Sequence, residues 1–525
     1  MKDFFSIAVP ILLLTASCAK ESISPDISFD DPYQISHDMI ELGERLEDPY
    51  SVDNINAALK SLYPTKATRM DVTATDLYVR FLPGSQDEFD HLEALGLKMI
   101  DHPLDYQIVK EGDYYHDPSI PEDEITWQYS VVKSDFRFPS DIYYEILDEC
   151  YISDNDLTTR SSSDIDWAAV ERESFRLTGN DSLLEPQTKG KDMIPEGRIT
   201  IVDDRFNLGK AAGVAGVMVS VNSFVKIATT YTDEDGFYRF DKPFSSQVRY
   251  RIIFRNKIGF GIGMNLLLIP ASVSTLGKNS AQGVDVEIDA DSDRKLFTRA
   301  AVNNTVYDYY ELCKNEDEGV SVPPSNLRIW LFQKLNSSST PMLQHGTILD
   351  RSLLSKYLGQ YASLIKMFLP DITLGLGAAE SYADIYGVTM HELSHSSHFM
   401  KVGTEYWNKY IIYVLKSFVT SMGTVYGSGT EKDAGYCEVG EMWGYYVQNS
   451  MLLKRYGALD RAYGTSWWFS PQILLYLEER GLTMGMIFRS MTPEVTDLDG
   501  LKQSLLDTYP EYAGIIGQAF ERYDY

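Results

Sequence analysis

Residues 391–398 read HELSHSSH, so three of the chain's eight histidines fall within one short stretch. His391 and His395 are four apart. A helix puts side chains at that spacing on one face, about 6 Å apart along its axis. Two imidazoles so placed can share one metal ion. Glu392, the next residue after the first of them, turns toward the ion's open side, where it can take a proton from a water. The stretch therefore demands a well-supported helix, and a third ligand must come from elsewhere in the fold.

The flanking sequence supplies such a helix. Upstream lies SYADIYGVTM (381–390), in which Ser381 and Asp384 form a capping box. Tyr382, Ile385, Val388 and Met390 can pack one side, and Gly403 is a natural stop. The spacing predicts a helix of about 20 residues with the histidines near its middle. Just before it, DITLGLG (371–377) reads as a strand. This order of strand, loop and H-E-x-x-H helix resembles the zincin metallopeptidases. The resemblance implies that the strand is an edge strand that pairs with an extended peptide substrate.

His398 stands seven residues after His391, about 10.5 Å along an unbroken helix. The metzincins break the helix between their second and third histidines with a glycine, whereas Ser396 and Ser397 lie here. Geometry thus makes His398 a neighbour of the site and not a ligand. For the third ligand, GYCEVGEMWGYYVQ (435–448) resembles the glutamate helices of the gluzincins, a class that includes thermolysin-like enzymes, zinc aminopeptidases and the anthrax lethal factor group. The aminopeptidase version reads Asn-Glu-Gly-Phe-Ala-x-Tyr, and residues 440–446 follow it with Glu441 in the ligand place. Glu441 comes 46 residues after His395, which leaves room for the helix expected over 407–419. Glu438, one turn earlier, is the alternative third ligand, and whichever glutamate does not bind could orient a ligand from behind. Position 440 is Gly where the gluzincin pattern has Asn, and position 445 is Tyr where thermolysin-like enzymes have Asp. The resemblance is therefore to the class and not to one subfamily, and it covers roughly residues 325–525. It implies one zinc ion held by His391, His395 and Glu441, with Glu392 as the catalytic base. Tyr445, Tyr446 and Tyr463 are candidates to polarise a developing oxyanion.

The other segments frame this site. Acidic residues number 76 against 47 basic ones, a net charge of −29, which excludes nucleic-acid binding through phosphates. MKDFFSIAVPILLLTASC has a short apolar run followed by small residues and Cys18, the proportions of a secretory signal over 1–17. It resembles a bacterial lipobox, which implies lipidation of Cys18 and contact with the membrane through a lipid anchor only. Residues 18–30 read as a tether. Cys150, Cys313 and Cys437 show no disulfide framework or zinc spacing.

From 31 to 155 strands and short helices alternate, including expected helices over 40–49, 54–63 and 89–96 and a strand over 76–83. Ser- and Asp-rich residues 156–192 read as a linker or loop. Short alternating strands over 197–204, 214–221, 226–240 and 248–256 predict a small β-sandwich spanning 193–270. Within it, TTYTDEDGFYRF (229–240) resembles the carboxypeptidase regulatory-like domain, which implies an accessory role; the polarity of Asp233, Glu234 and Asp235 suits a turn. The expected fold is multidomain α+β: an N-terminal α+β domain, an all-β sandwich and a mainly helical zincin-like metallopeptidase domain over 290–525. The expected function is that of an exported zinc peptidase, anchored by lipid to the bacterial outer membrane, that cleaves proteins or peptides. The alternative is a surface binding lipoprotein with a structural zinc site.

Overall fold

The computed structural model describes residues 39–67, 71–121, 124–153, 165–186, 193–206, 210–263, 271–315, 319–333, 338–347, 370–420, 426–457 and 468–523. The expected signal segment, Cys18, the tether and Tyr463 lie outside the described residues. The architecture is mixed α+β.

The N-terminal third comprises β1 (Glu41–Arg45), α1 (Val52–Leu62), β2 (Asp76–Leu82), α2 (Gln86–Ala94), β3 (Tyr106–Lys110), β4 (Gln128–Lys133), β5 (Tyr143–Cys150) and α3 (Trp167–Leu177). Strand β2 lies between antiparallel β4 and β5. Two stretches differ from the sequence reading. IELGERLEDP has helical spacing, yet 41–45 is a strand antiparallel to β3. Gly43 disfavours a helix, and a Cβ there would sit 2.7 Å from Val109 Cγ1, so the close ribbon wants glycine at that place. The expected linker contains α3, capped by Asp166, whose side chain accepts the Ala169 amide. Val170 and Phe175 of α3 are fully buried, and that burial supplies the order that the polar composition conceals.

Two sheets follow. The first centres on β6 (Glu196–Val202), which pairs antiparallel with β7 (Ala211–Gly213). The second holds β8 (Val217–Ser223) and β9 (Lys226–Tyr231). Strand β10 (Phe237–Arg239) returns to β6. The turn before it places Gly236 at φ 76°, while Asp233 Oδ1 accepts the Asp235 and Phe237 amides at 3.0 and 2.9 Å. That hydrogen bonding accounts for the acidic turn. Strands β11 (Val248–Asn256), β12 (Gly261–Gly263) and β13 (Val273–Asn279) extend the second sheet, and β14 (Val286–Ile288) joins β6 in parallel. Val217, Val219 and Val221 join Tyr250, Ile252 and Phe254 in the main apolar core, and the residues between them on β8 are buried as well, so this strand is covered on both faces.

The second sheet does not end with the expected sandwich. Strand β12 pairs in parallel with β15 (Arg328–Phe332), and β15 with β16 (Ile372–Gly375). Helix α4 (Arg294–Lys314) is buried along most of its length and packs between this sheet and α5 (Tyr382–Thr420). One apolar core consequently runs from Ile199 to Phe520. Helix α6 (Ala434–Tyr456) lies along α5, and the short helices α7 (Gln472–Glu478), α8 (Met484–Ser490), α9 (Leu498–Thr508) and α10 (Ala513–Arg522) close the C-terminal side.

The border of the sheet beside the H-E-x-x-H helix lies one segment further out than the sequence suggests. Ser339 bridges Thr373 in antiparallel fashion, with amide-to-carbonyl distances of 2.8 and 2.9 Å. Residues 338–340 therefore cover β16, the strand expected at the edge. No helix among the described residues is long and apolar enough to cross a membrane.

Candidate metal centre

Helix α5 starts at the capping box. The Asp384 amide donates to Ser381 Oγ at 3.2 Å, and the Ser381 amide donates to Asp384 Oδ2 at 3.0 Å. Gly403, with φ 82° and ψ 173°, breaks the helix, and a second helical run continues from it. The break matters because it folds Trp407 and Tyr410 back onto the histidines: their rings lie 5.8 and 5.9 Å from that of His395.

The structure brings His391, His395 and Glu441 together. One ligand atom from each lies within 4.8 Å of the others, and no further group of three or more such side chains exists among the described residues. His391 Nε2 is 3.1 Å from His395 Nε2 and 3.3 Å from Glu441 Oε2, and His395 Nε2 is 3.7 Å from Glu441 Oε1. Two donors at zinc bond lengths and a tetrahedral angle stand about 3.4 Å apart. The three observed separations bracket that value, so the residues fit a zinc ion. Two imidazoles and one carboxylate also suit a divalent cation electrostatically.

The surroundings orient these donors. Gln448 Oε1 lies 3.2 Å from His391 Nδ1, where it can accept the ring N–H and turn Nε2 toward the other donors. The Glu441 carboxylate accepts from Tyr410 Oη at 2.5 Å and from Tyr426 Oη at 3.1 Å. The Trp443 indole donates to the Ser394 carbonyl at 3.0 Å and pins α6 against α5. Gly444 permits that approach, because a Cβ there would meet His391 Nε2 at 2.7 Å and His395 Cε1 at 3.0 Å.

Burial would lower the pKa of His391, but the hydrogen bond to Glu441 and the charges of Glu392 and Glu441 outweigh it and raise that pKa. His395 is held well below its ordinary value by burial and by the neighbouring His391 and His398. Glu392 is fully buried, and its Oε2 lies 2.7 Å from the Thr340 hydroxyl. The same hydroxyl is 2.9 Å from the Glu392 carbonyl, and the Trp407 indole donates to the Thr340 carbonyl at 2.9 Å.

The remaining sequence candidates lie elsewhere. Glu438 does not join the donor group. It accepts the Leu498 amide at the start of α9, and burial, followed by the nearby Asp497 and Asp499, pushes its carboxyl up to about 7. His398 is buried against Tyr406 and Trp407, and neither ring nitrogen has a hydrogen-bond partner. Tyr445 packs edge-on against His391 at 4.6 Å between ring centroids, whereas Tyr446 is fully buried beside Trp443. Of these two candidate tyrosines, Tyr445 is the one that packs on a donor imidazole.

Sequence reasoning missed Tyr410, Tyr426, Gln448, Thr340 and Gly444. One signal was readable: Tyr410 shares a helical face with Trp407 in the segment that separates His395 from Glu441. Thr340 and Tyr426 carry no local signal, since their partners lie 52 and 15 residues away. No protein-family model matches the chain, and a search of curated proteins finds no relative.

Proposed function

We propose that the protein is a zinc-dependent endopeptidase of the gluzincin type, exported and held to the bacterial outer membrane by lipid on Cys18. The observation that carries this reading is the convergence of His391, His395 and Glu441 next to a buried Glu392 that is held by a hydroxyl. When bound there, zinc supplies Lewis acidity toward a peptide carbonyl and lowers the pKa of a water. Glu392 takes a proton from that water as its oxygen adds to the scissile carbon. The carboxyl then delivers the proton to the amine nitrogen as the C–N bond breaks. Thr340 fixes the Glu392 carboxylate, while Tyr410 and Tyr426 hold Glu441 in its binding orientation. Residues 338–340 adjoin Glu392 through Thr340, so this segment borders the proton carrier.

One observation favours a second reading, a surface binding lipoprotein with a structural metal. His391 is only 3% exposed, and His395, Glu392 and Glu441 are at 0%. Against it, no fourth His, Cys, Asp or Glu joins the donor group among the described residues, and a structural site is usually closed by four protein ligands.

Glu392→Gln separates the two readings. The amide keeps the shape and can still bond to Thr340, but it cannot take the proton. Zinc content and melting temperature should stay at parent values, while cleavage of a peptide library falls at least about a hundredfold. Parent-level cleavage by the variant would refute the role of Glu392. A zinc-loaded parent that cleaves nothing would favour the binding lipoprotein.

A further inference from the structure

Strand β5 borders the three-stranded N-terminal sheet. At its C-terminal end the chain covers it: Ser51 bridges Cys150, and the Tyr151 amide donates to the Tyr50 carbonyl at 2.9 Å. Toward its N-terminal end no strand flanks its outer border among the described residues. There Tyr143, Tyr144 and Ile146 are 60%, 37% and 52% exposed, although Glu145 lies between them and the Tyr144 ring stacks on Phe138. Between residues 146–149 of β5 and the segment 45–54 lies a groove of about 750 Å³, which meets the exposed end of the strand at Ile146. Six carboxylates line it, from Glu47, Asp48, Asp53, Asp105, Asp148 and Glu149, against one guanidinium, Arg45, which lies 2.7 Å from Asp105.

These carboxylates are spread along the groove. No three of them converge as metal ligands do, because the one such group among the described residues is the zinc-type centre. An extended cationic ligand fits that distribution better than an ion. Asp48 is buried, and burial pushes its carboxyl up to about 7, so a cation laid beside it would restore its charge. A second copy of this chain would bring a further net charge of −29 and be repelled.

We propose that this groove binds an extended basic peptide segment, which adds a strand to the open border of β5 and lays its Lys or Arg side chains against the carboxylates. Backbone pairing supplies affinity, and alternate side chains supply selectivity. The site is remote from the metal centre in sequence and does not depend on whether that centre hydrolyses peptides.

The test uses the full zinc-loaded chain and a fluorescent strand-length peptide of alternating Lys and Val, followed by anisotropy. The peptide should bind, and added salt should weaken binding. A Glu/Val counterpart should not bind, and a Lys/Val peptide N-methylated at alternate residues should lose binding because it cannot pair with the strand. Asp53→Arg with Glu149→Arg, both at exposed positions, should lower affinity at least about tenfold with circular dichroism and zinc content unchanged. Failure of the Lys/Val peptide to bind overturns the proposal. So does parent-level affinity in the double variant, or equal binding of the N-methylated peptide. Calcium binding in the groove without any peptide binding would make it an ion site and overturn the proposal as well.

Discussion

Of the three histidines in the 391–398 stretch, two converge with Glu441 and the third has no hydrogen bond on either ring nitrogen. Burial drives the pKa of His398 from its ordinary 6.5 down to about 3. An unmet buried polar atom costs about 1–3 kcal/mol, so an apolar residue of similar volume should be tolerated or better at this position. His398→Leu should therefore keep its zinc and match or exceed the parent in stability at pH 7. The pH dependence has a definite sign. Because the folded pKa is depressed, the neutral ring contributes its full stability above pH 6.5 and loses it progressively as the pH falls toward 3. The stability gain of the leucine variant over the parent should thus grow through that window, reaching about 2 kcal/mol more at pH 5 than at pH 7. Urea titrations of both proteins at the two pH values, in matched metal states, measure it. Zinc loss in the variant would make His398 a ligand after all.

At the scale of elements, the metal centre depends on how closely α5 and α6 approach, and two glycines of α6 respond to that approach differently. A Cβ at Gly444 would lie 2.7 Å from His391 Nε2, whereas one at Gly440 would meet the Tyr410 ring at an ordinary 3.8 Å. Alanine favours a helix interior over glycine by about 1 kcal/mol at either position. Gly440→Ala should therefore retain zinc and gain slightly in melting temperature. Gly444→Ala should lose most of its zinc while remaining helical, as metal analysis with circular dichroism would show. If both variants keep full zinc, the helices are not held as close as the structure has them. The same pair marks the limit of what the sequence reveals. The histidines and Glu392 are legible because helical periodicity is local, and Glu441 because small and aromatic residues surround it. The space needed at Gly444, the hydroxyl of Tyr426 on Glu441 and that of Thr340 on Glu392 depend on tertiary contact, which no sequence spacing encodes. The misread 40–49 segment fails for the same reason, since its pairing with β3 overrides its helical periodicity.

For the whole molecule, the boundary that texture suggests near residue 270 is crossed by a sheet and by a single core. Sequence texture changes because the chain turns mainly helical from Arg294, while the sheet continues through β12, β15 and β16. Arg455, at the end of α6, ties the two parts together on the other side. Its guanidinium is 3.2 Å from Asp203, just after β6, and 3.2 Å from Asp308 on α4, and it lies 4.1 Å from the centroid of the Phe206 ring. The Tyr456 hydroxyl donates to the same Asp203 carboxylate at 2.7 Å. Asp203 is 3% exposed, so removing the cation strands a buried charge, a loss of about 3–5 kcal/mol where nothing relaxes. Arg455 retains some exposure, which puts Arg455→Leu nearer about 3 kcal/mol. If the β-strands and the helical region were separate domains, this loss would split the melting curve and leave the metal-bearing half unmoved. With a shared core, calorimetry of Arg455→Leu should show the transition that contains the metal centre shifted down as one. Chelator should lower that same transition further in both proteins, because the three residues that would hold the metal lie on helices of the same core. A variant curve in which the chelator-sensitive transition stays at the parent temperature would show that the two parts unfold independently.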